Sequence, residues 1–300
     1  MSGLYVWPPP KRKVSLSVLV PSSILSIEQS LYEKTILLGF LARALAVFRV
    51  DEFLVFVDDD RMSRDLNLIV DVMEYLLTPP YLRRKVISKK DTLRYAGVLP
   101  PLNIATHPTT DEGIEVLPFR EGLLLKILGT RVKVDVGLGE NLVAEIPKDL
   151  ANELDLRVGA KVYVRITKVR PLRGVLVSEA DIPYYSGFKL RIVDSLEILI
   201  EMLKDAGVLG VITSKCGESA SRLLHEFSSN LKKMIIMFGN HRKDFNELVS
   251  GKASNSLNNL VKISINTIPL QGVRSVRTVE ALYATLTLIN ELMYRSGIDS

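Results

Sequence analysis

Cysteine is almost absent. Cys216 stands alone among 300 residues, so no disulfide can form within the chain, and a reducing compartment, the cytoplasm, is the expected location. Histidine is nearly as scarce. His107, His225 and His241 lie far from one another and from Cys216, which speaks against a structural zinc site, and no carboxylate motif announces magnesium; no metal is expected. Apolar runs are short, and none approaches the length of a membrane span. The opening MSGLYVWPPPKRKVS lacks the apolar segment of an export signal. Neither GxGxxG nor a Walker sequence occurs, so an ordinary dinucleotide or nucleoside-triphosphate site is not expected.

What is present is a core-forming chain with a mild basic excess. Apolar residues make up 47% against 24% charged, enough for a folded protein of one large or two ordinary domains. Lys and Arg number 39 against 34 Asp and Glu, giving a net charge of +5. The cations cluster in KRK at 11–13, LRRK at 82–85, SKK at 88–90 and KVRPLR at 168–173. A solvated face accounts for any one cluster; together they suggest a polyanionic partner.

Apolar runs alternate with helical spacing at both ends of the chain. VSLSVLV (14–20), a helix over 31–48, FLVFVD (53–58) and a helix over 64–77 ended by Thr78-Pro79-Pro80 form the first set. FKLRIV (188–193), a helix over 195–205, GVLGVIT (207–213), a helix from near Glu218, KKMIIMFG (232–239), VKISINTI and a closing helix over 277–294 form the second. Such alternation predicts an α/β fold with a mostly parallel sheet. Between them, LLLKIL, RVKVDVG, LVAEIP, KVYVRITKV and GVLVS read as five short strands of a small barrel of the oligonucleotide-binding (OB) kind. The expected organisation is residues 1–91, first half of the α/β domain; 92–180, inserted barrel; 181–300, second half.

Ligands of parallel sheets bind beyond the carboxyl ends of the strands. Three such ends, VITSKCGES (211–219), MFGNHRKD (237–244) and NTIPLQGVRSVRT (266–278), are polar and contain glycine. Each alone is explicable as a turn; three together mark a candidate site.

These stretches, with VPSSILSIEQS, LARALAVFRVDEFLVF, LLTPPYLRR, LRYAGVLPPL and TSKCGES, resemble the SPOUT class of RNA methyltransferases, and NTIPLQGVRSVRTVEAL resembles its RNA uridine-N3 methyltransferase branch. The resemblance covers nearly the whole chain. It implies a C-terminal trefoil knot and S-adenosyl-L-methionine held among the three loops. Thr213 and Ser214 would serve on the first, Gly239 on the second, and Asn266, Ile268, Pro269, Leu270 and Gly272 on the third. Pro269 would fix the backbone there and Gly272 permit close approach. Arg277 would be catalytic, holding the loops or stabilising charge on the target base.

The resemblance further implies an RNA substrate, taken as ribosomal, no membrane association, and a homodimer. The closing helix, with Leu282, Tyr283, Leu286, Ile289 and Leu292, suits a dimer interface or an intramolecular core equally. The barrel would bind RNA through Lys168, Arg170 and Arg173, aided by Arg94, Tyr95 and His107, for which a packed hinge between the domains is the alternative. The general base is not identified: Asp58, Asp59, Asp60 and Glu218 are candidates near strand ends, with a capping turn the alternative for the Asp run. FGNHRKD departs from the branch, which usually shows a small residue and Pro followed by another Gly. That puts the role of Asn240 in question, and His241 reads as a solvent-exposed loop residue. A catalytically reduced RNA-binding or ribosome-assembly protein, and a protein methyltransferase, are the alternatives.

Overall fold

The computed structural model describes residues 5–59, 63–108, 113–151, 156–249, 252–261 and 263–298. In chain order these form β1 (Ser15–Pro21), α1 (Leu31–Val47), β2 (Glu52–Phe56), α2 (Ser63–Leu77) and α3 (Pro80–Val86). The strands β3 (Phe119–Leu128), β4 (Arg131–Leu138), β5 (Glu140–Glu145), β6 (Lys161–Lys168) and β7 (Arg173–Val177) follow. The chain ends with β8 (Lys189–Val193), α4 (Leu196–Lys204), β9 (Val208–Ser219), β10 (Lys233–Met237), α5 (Phe245–Leu248), α6 (Lys252–Leu260), β11 (Ile263–Asn266) and α7 (Thr278–Arg295). Two compact units result: Met1–Lys11, Tyr75–Lys90 and Leu102–Gly187 in one; Arg12–Glu74, Asp91–Pro101 and Phe188–Ser300 in the other. Among the described residues, no helix is long and apolar enough to cross a membrane.

The second unit is α/β, as expected. Its six strands pair in the order β11-β9-β10-β1-β2-β8, every pair parallel. Leu19, Leu54, Ile212, Ile235 and Met237 pack in one apolar cluster with Leu199 and Leu203 of α4, Phe245 of α5 and Leu257 of α6. Val18, Val20, Phe53, Val55 and Ile236, the alternate positions, point the other way and are equally buried. That two-sided burial is why these strands read as uninterrupted apolar runs. Helix α1 starts at a capping box in which Ser30 Oγ accepts from Glu33 N at 3.1 Å and Glu33 accepts from Ser30 N at 3.0 Å.

The other unit holds a closed five-strand barrel in the order β3-β4-β5-β7-β6, antiparallel except for β5 with β7. Val132, Val134, Leu142, Val164 and Leu176 fill it. Alternation is strict in β6, whose burial switches at each residue from Lys161 to Ile166, so the barrel was legible from period two.

One expectation is corrected, and three others are made more specific. The region from Glu218 is not helical at first: β9 runs on to Ser219, and a short 3-10 turn, Ala220–His225, follows. Thr78-Pro79-Pro80 ends α2 but also starts α3, because Pro80 occupies a first-turn position where no backbone N–H is needed. The apolar stripe of α7 is used inside the chain, with Leu282, Leu286 and Ile289 buried, and Tyr283 donates to Phe40 O of α1 at 3.1 Å. His107 is buried, with its Nε2 3.2 Å from Glu121 Oε2, and cannot reach an RNA.

Candidate functional site

At the carboxyl ends of β9, β10 and β11 lies a cavity of about 510 Å³, formed wholly within the α/β unit. Its first wall comes from an excursion of β9. Residues 263 and 264 of β11 pair with 211 and 212, and residues 265 and 266 pair with 218 and 219. Thr213–Gly217 therefore have no partner on β11 and bulge from the ladder. Thr213 donates to Met237 O at 3.3 Å, and Ser214 Oγ accepts from Cys216 N at 3.1 Å, curling the excursion on itself. Gly217 marks the return: a Cβ there would fall 2.5 Å from the Ile265 carbonyl carbon.

The second wall, Phe238–Asp244, is a tight turn. Asn240 N donates to Lys243 O, and Asn240 Oδ1 accepts from Arg242 N and Lys243 N, each at 2.9 Å. Gly239 is required by this closure, since a Cβ would stand 2.2 Å from Lys243 O. Ser214 Oγ donates to Asp244 Oδ2 at 2.5 Å, joining the first wall to the second. Arg242 Nε donates to His241 Nε2 at 2.9 Å, so the remaining ring proton sits on Nδ1, 3.4 Å from Ser26 Oγ. Burial, then the Arg242 charge, pushes the His241 pKa below its ordinary range. With its acceptor nitrogen occupied, His241 is poorly suited to be a base.

The third wall follows β11. Asn266 Nδ2 donates to Lys215 O at 2.8 Å and Asn266 Oδ1 accepts from Ile268 N at 2.9 Å, so one side chain shapes two walls. Thr267 and Thr285 hydroxyls meet at 2.9 Å, tying this loop to α7. Lys215, Arg242, Lys243 and Arg274 line the cavity alongside Asp244 and Glu247. The lining thus offers both signs of charge.

Of the residues singled out from sequence, Thr213, Ser214, Gly239, Asn266 and Ile268 line this cavity together. Pro269, Leu270 and Gly272 do not line it; Leu270 is fully exposed at a φ of 55°, and a Cβ on Gly272 would meet nothing within 4 Å. Arg277 caps α7 just outside, its backbone N donating to Glu280 Oε2 at 2.8 Å. Glu218 is an exposed partner of Arg222 at 3.6 Å, and Asp58 accepts hydrogen bonds from Ser22 and Ser23. Asp60 lies outside the described residues. Lys168, Arg170 and Arg173 are exposed on the barrel unit, whereas Arg94 and Tyr95 belong to the α/β unit; Tyr95 stacks edge-to-face on Tyr32 at 5.4 Å. Sequence reasoning did not single out Asp244 or Gly217, although both lie in the polar loop stretches VITSKCGES and MFGNHRKD. Among the described residues there is no group of three His, Cys, Asp or Glu that could hold a metal ion.

Three loops from the C-terminal strands thus wall one cavity, and comparison with known proteins supplies the family. The model of the family described as "Putative RNA methyltransferase" matches residues 15–289. The chain belongs to this family. The match runs from β1 into α7 and so takes in the sheet, the barrel and all three cavity walls. Membership makes the chain an RNA methyltransferase. An uncharacterized protein of Haloarcula marismortui is 32% identical over 92% of this chain and 99% of its own length. Named relatives are more distant: a human 28S rRNA (uridine-N(3))-methyltransferase is 28% identical over 95% of this chain and 80% of its own. The Mus musculus protein of the same name is 27% identical, also over 95% of this chain and 78% of its own.

Proposed function

We propose that this RNA methyltransferase uses S-adenosyl-L-methionine to methylate N3 of a uridine in ribosomal RNA. The observation that carries the reading is the cavity at the ends of β9, β10 and β11. Its volume suits a nucleoside joined to an amino acid, and its lining offers cations for a carboxylate and carboxylates for hydroxyl and ammonium groups. The names of the human and mouse relatives support the base and the ribosomal target. The departure of FGNHRKD from the branch is compatible with this role, because Asn240 closes the turn by its own hydrogen bonds. The reading includes the C-terminal knot and the homodimer that the resemblance implies.

When bound, the donor would supply an electrophilic methyl group on a sulfonium. The chain's task is alignment, desolvation and management of one proton. Before or during transfer the N3 proton would pass to solvent, and until the methyl group arrives the negative charge shared with the flanking carbonyl oxygens would need a partner. Arg277, at the cavity's edge with an exposed guanidinium, is the residue we assign to that charge.

The test is incubation with labelled donor and ribosomal RNA, followed by nucleoside mass spectrometry. 3-Methyluridine is expected. Label in protein alone, or in another nucleoside, overturns the assignment.

A further inference from the structure

A segment of the N-terminal half packs against the second wall of the cavity. After β1 the chain makes a 3-10 turn, Ser22–Leu25. Asp58, two residues beyond β2, accepts from Ser22 Oγ at 2.9 Å, from Ser23 N at 2.9 Å and from Ser23 Oγ at 2.5 Å. Both carboxylate oxygens are thus engaged, which makes Asp58 an anchor rather than a base.

A serine hydroxyl has one proton, and here it goes to the charged acceptor. The free lone pairs of Ser23 Oγ then accept from Asn240 Nδ2 at 3.0 Å. That bond fixes which end of the Asn240 carboxamide faces which way. Its oxygen is turned to the amides of Arg242 and Lys243, the bonds that close the second wall. Ser23 itself is buried, so water cannot readily take the place of its hydroxyl. Two further links run alongside: Ser26 Oγ to His241 Nδ1 at 3.4 Å, and Glu28 Oε1 to Arg277 Nη1 at 3.6 Å.

We infer that Ser22–Glu28 is a fourth structural element of the methyl-donor site, in which Asp58 and Ser23 are positioning residues that set the Asn240 turn. The inference rests on the reading of the cavity as the donor site. The relay itself is a matter of hydrogen bonds and is measurable without any ligand.

The test uses the full chain with Ser23→Ala, Ser23→Thr, Asn240→Ala and the Ser23→Ala/Asn240→Ala pair. Amide hydrogen exchange at Arg242 and Lys243 should quicken about tenfold in Ser23→Ala, and return to within about twofold of the parent in Ser23→Thr, which keeps the hydroxyl. S-adenosylmethionine dissociation constants should rise by about five- to tenfold in Ser23→Ala, and the thermal midpoint should fall as well, because Asp58 loses a buried donor. In the Asn240→Ala background, adding Ser23→Ala should change neither the exchange nor the dissociation constant further. Unchanged exchange at Arg242 and Lys243 in Ser23→Ala overturns the relay, as does full additivity in the pair. If the parent protein binds no donor, the cavity reading falls, and exchange alone decides the relay.

Discussion

Arg277 Nη1 lies 3.6 Å from Glu28 Oε1, and the Glu28 side chain is only 8% exposed while that of Arg277 is 64% exposed. A cation at the start of α7 is disfavoured by the helix dipole, and this carboxylate is the compensating charge. The other oxygen, Oε2, is buried with no hydrogen-bond partner among the described residues.

Arg277→Ala should therefore cost about 1–2 kcal/mol of stability, because it leaves the Glu28 carboxylate without its counter-ion. Methyl transfer in single turnover should fall about a hundredfold or more. Adding Glu28→Gln should restore the thermal midpoint and leave the rate low. Melts beside single-turnover rates on one RNA decide it; wild-type rates in Arg277→Ala would remove the residue from catalysis.

The three loop glycines should separate. Gly239→Ala places a methyl 2.2 Å from Lys243 O, and Gly217→Ala places one within 2.5 Å of Ile265; both obstacles are backbone. Donor binding by calorimetry should weaken at least about tenfold in each. Gly272→Ala meets no protein atom within 4 Å and should melt with the parent. Any loss of affinity it shows is then a direct report of donor contact at that position.

On the barrel, Lys168 and Arg173 are register partners across β6 and β7, and both are exposed. Reversing both charges should weaken RNA binding and reduce the slope of log K against log salt by about 1.4–1.8. An unchanged slope would mean that this edge does not touch phosphate.

Acid should destabilise the barrel unit in two windows. Burial pushes the His107 pKa below its ordinary 6.5, outweighing the pull of Glu121. Burial works to raise that of Glu121, yet the hydrogen bond with His107 and the Lys161 ammonium, 2.7 Å away, hold it below 4.5. For both groups the folded value is depressed, so the stabilisation is present above the unfolded value and lost as pH falls. Stability should decline from about pH 6.5 by at most about 1.4 kcal/mol per pH unit, then decline again below about 4.5. His107→Gln should flatten the first window in denaturant titrations followed across pH and leave the second.

The sheet and barrel were legible because burial there follows period: continuous apolar runs for strands covered twice, alternation for strands covered once. The cavity was legible only in outline. Thr213, Ser214, Gly239 and Asn266 announced themselves as polar or glycine positions near the ends of buried strands, whereas Ile268 came only with the resemblance. Arg277 was visible as an ill-placed cation, but its partner lies about 250 positions earlier in the chain, where no local pattern signals it. Asp58 was visible as a carboxylate near a strand end, but Ser23 was hidden, since its contact to Asn240 is made by tertiary packing. Gly217 was passed over because the strand it rejoins was read as already finished.

The excursion of β9 is held at both ends by one neighbouring strand: Ile212 pairs with Ser264, and Glu218 with the very next residue, Ile265. The ladder therefore resumes where it stopped, whatever side chains stand at Thr213–Cys216. The cavity wall at Thr213–Cys216 can be rewritten without moving a single strand pairing, while Gly217 keeps the exit fixed. In such an architecture the make-up of the cavity wall and foldedness are separable properties, and variation can act on the first with the second held constant.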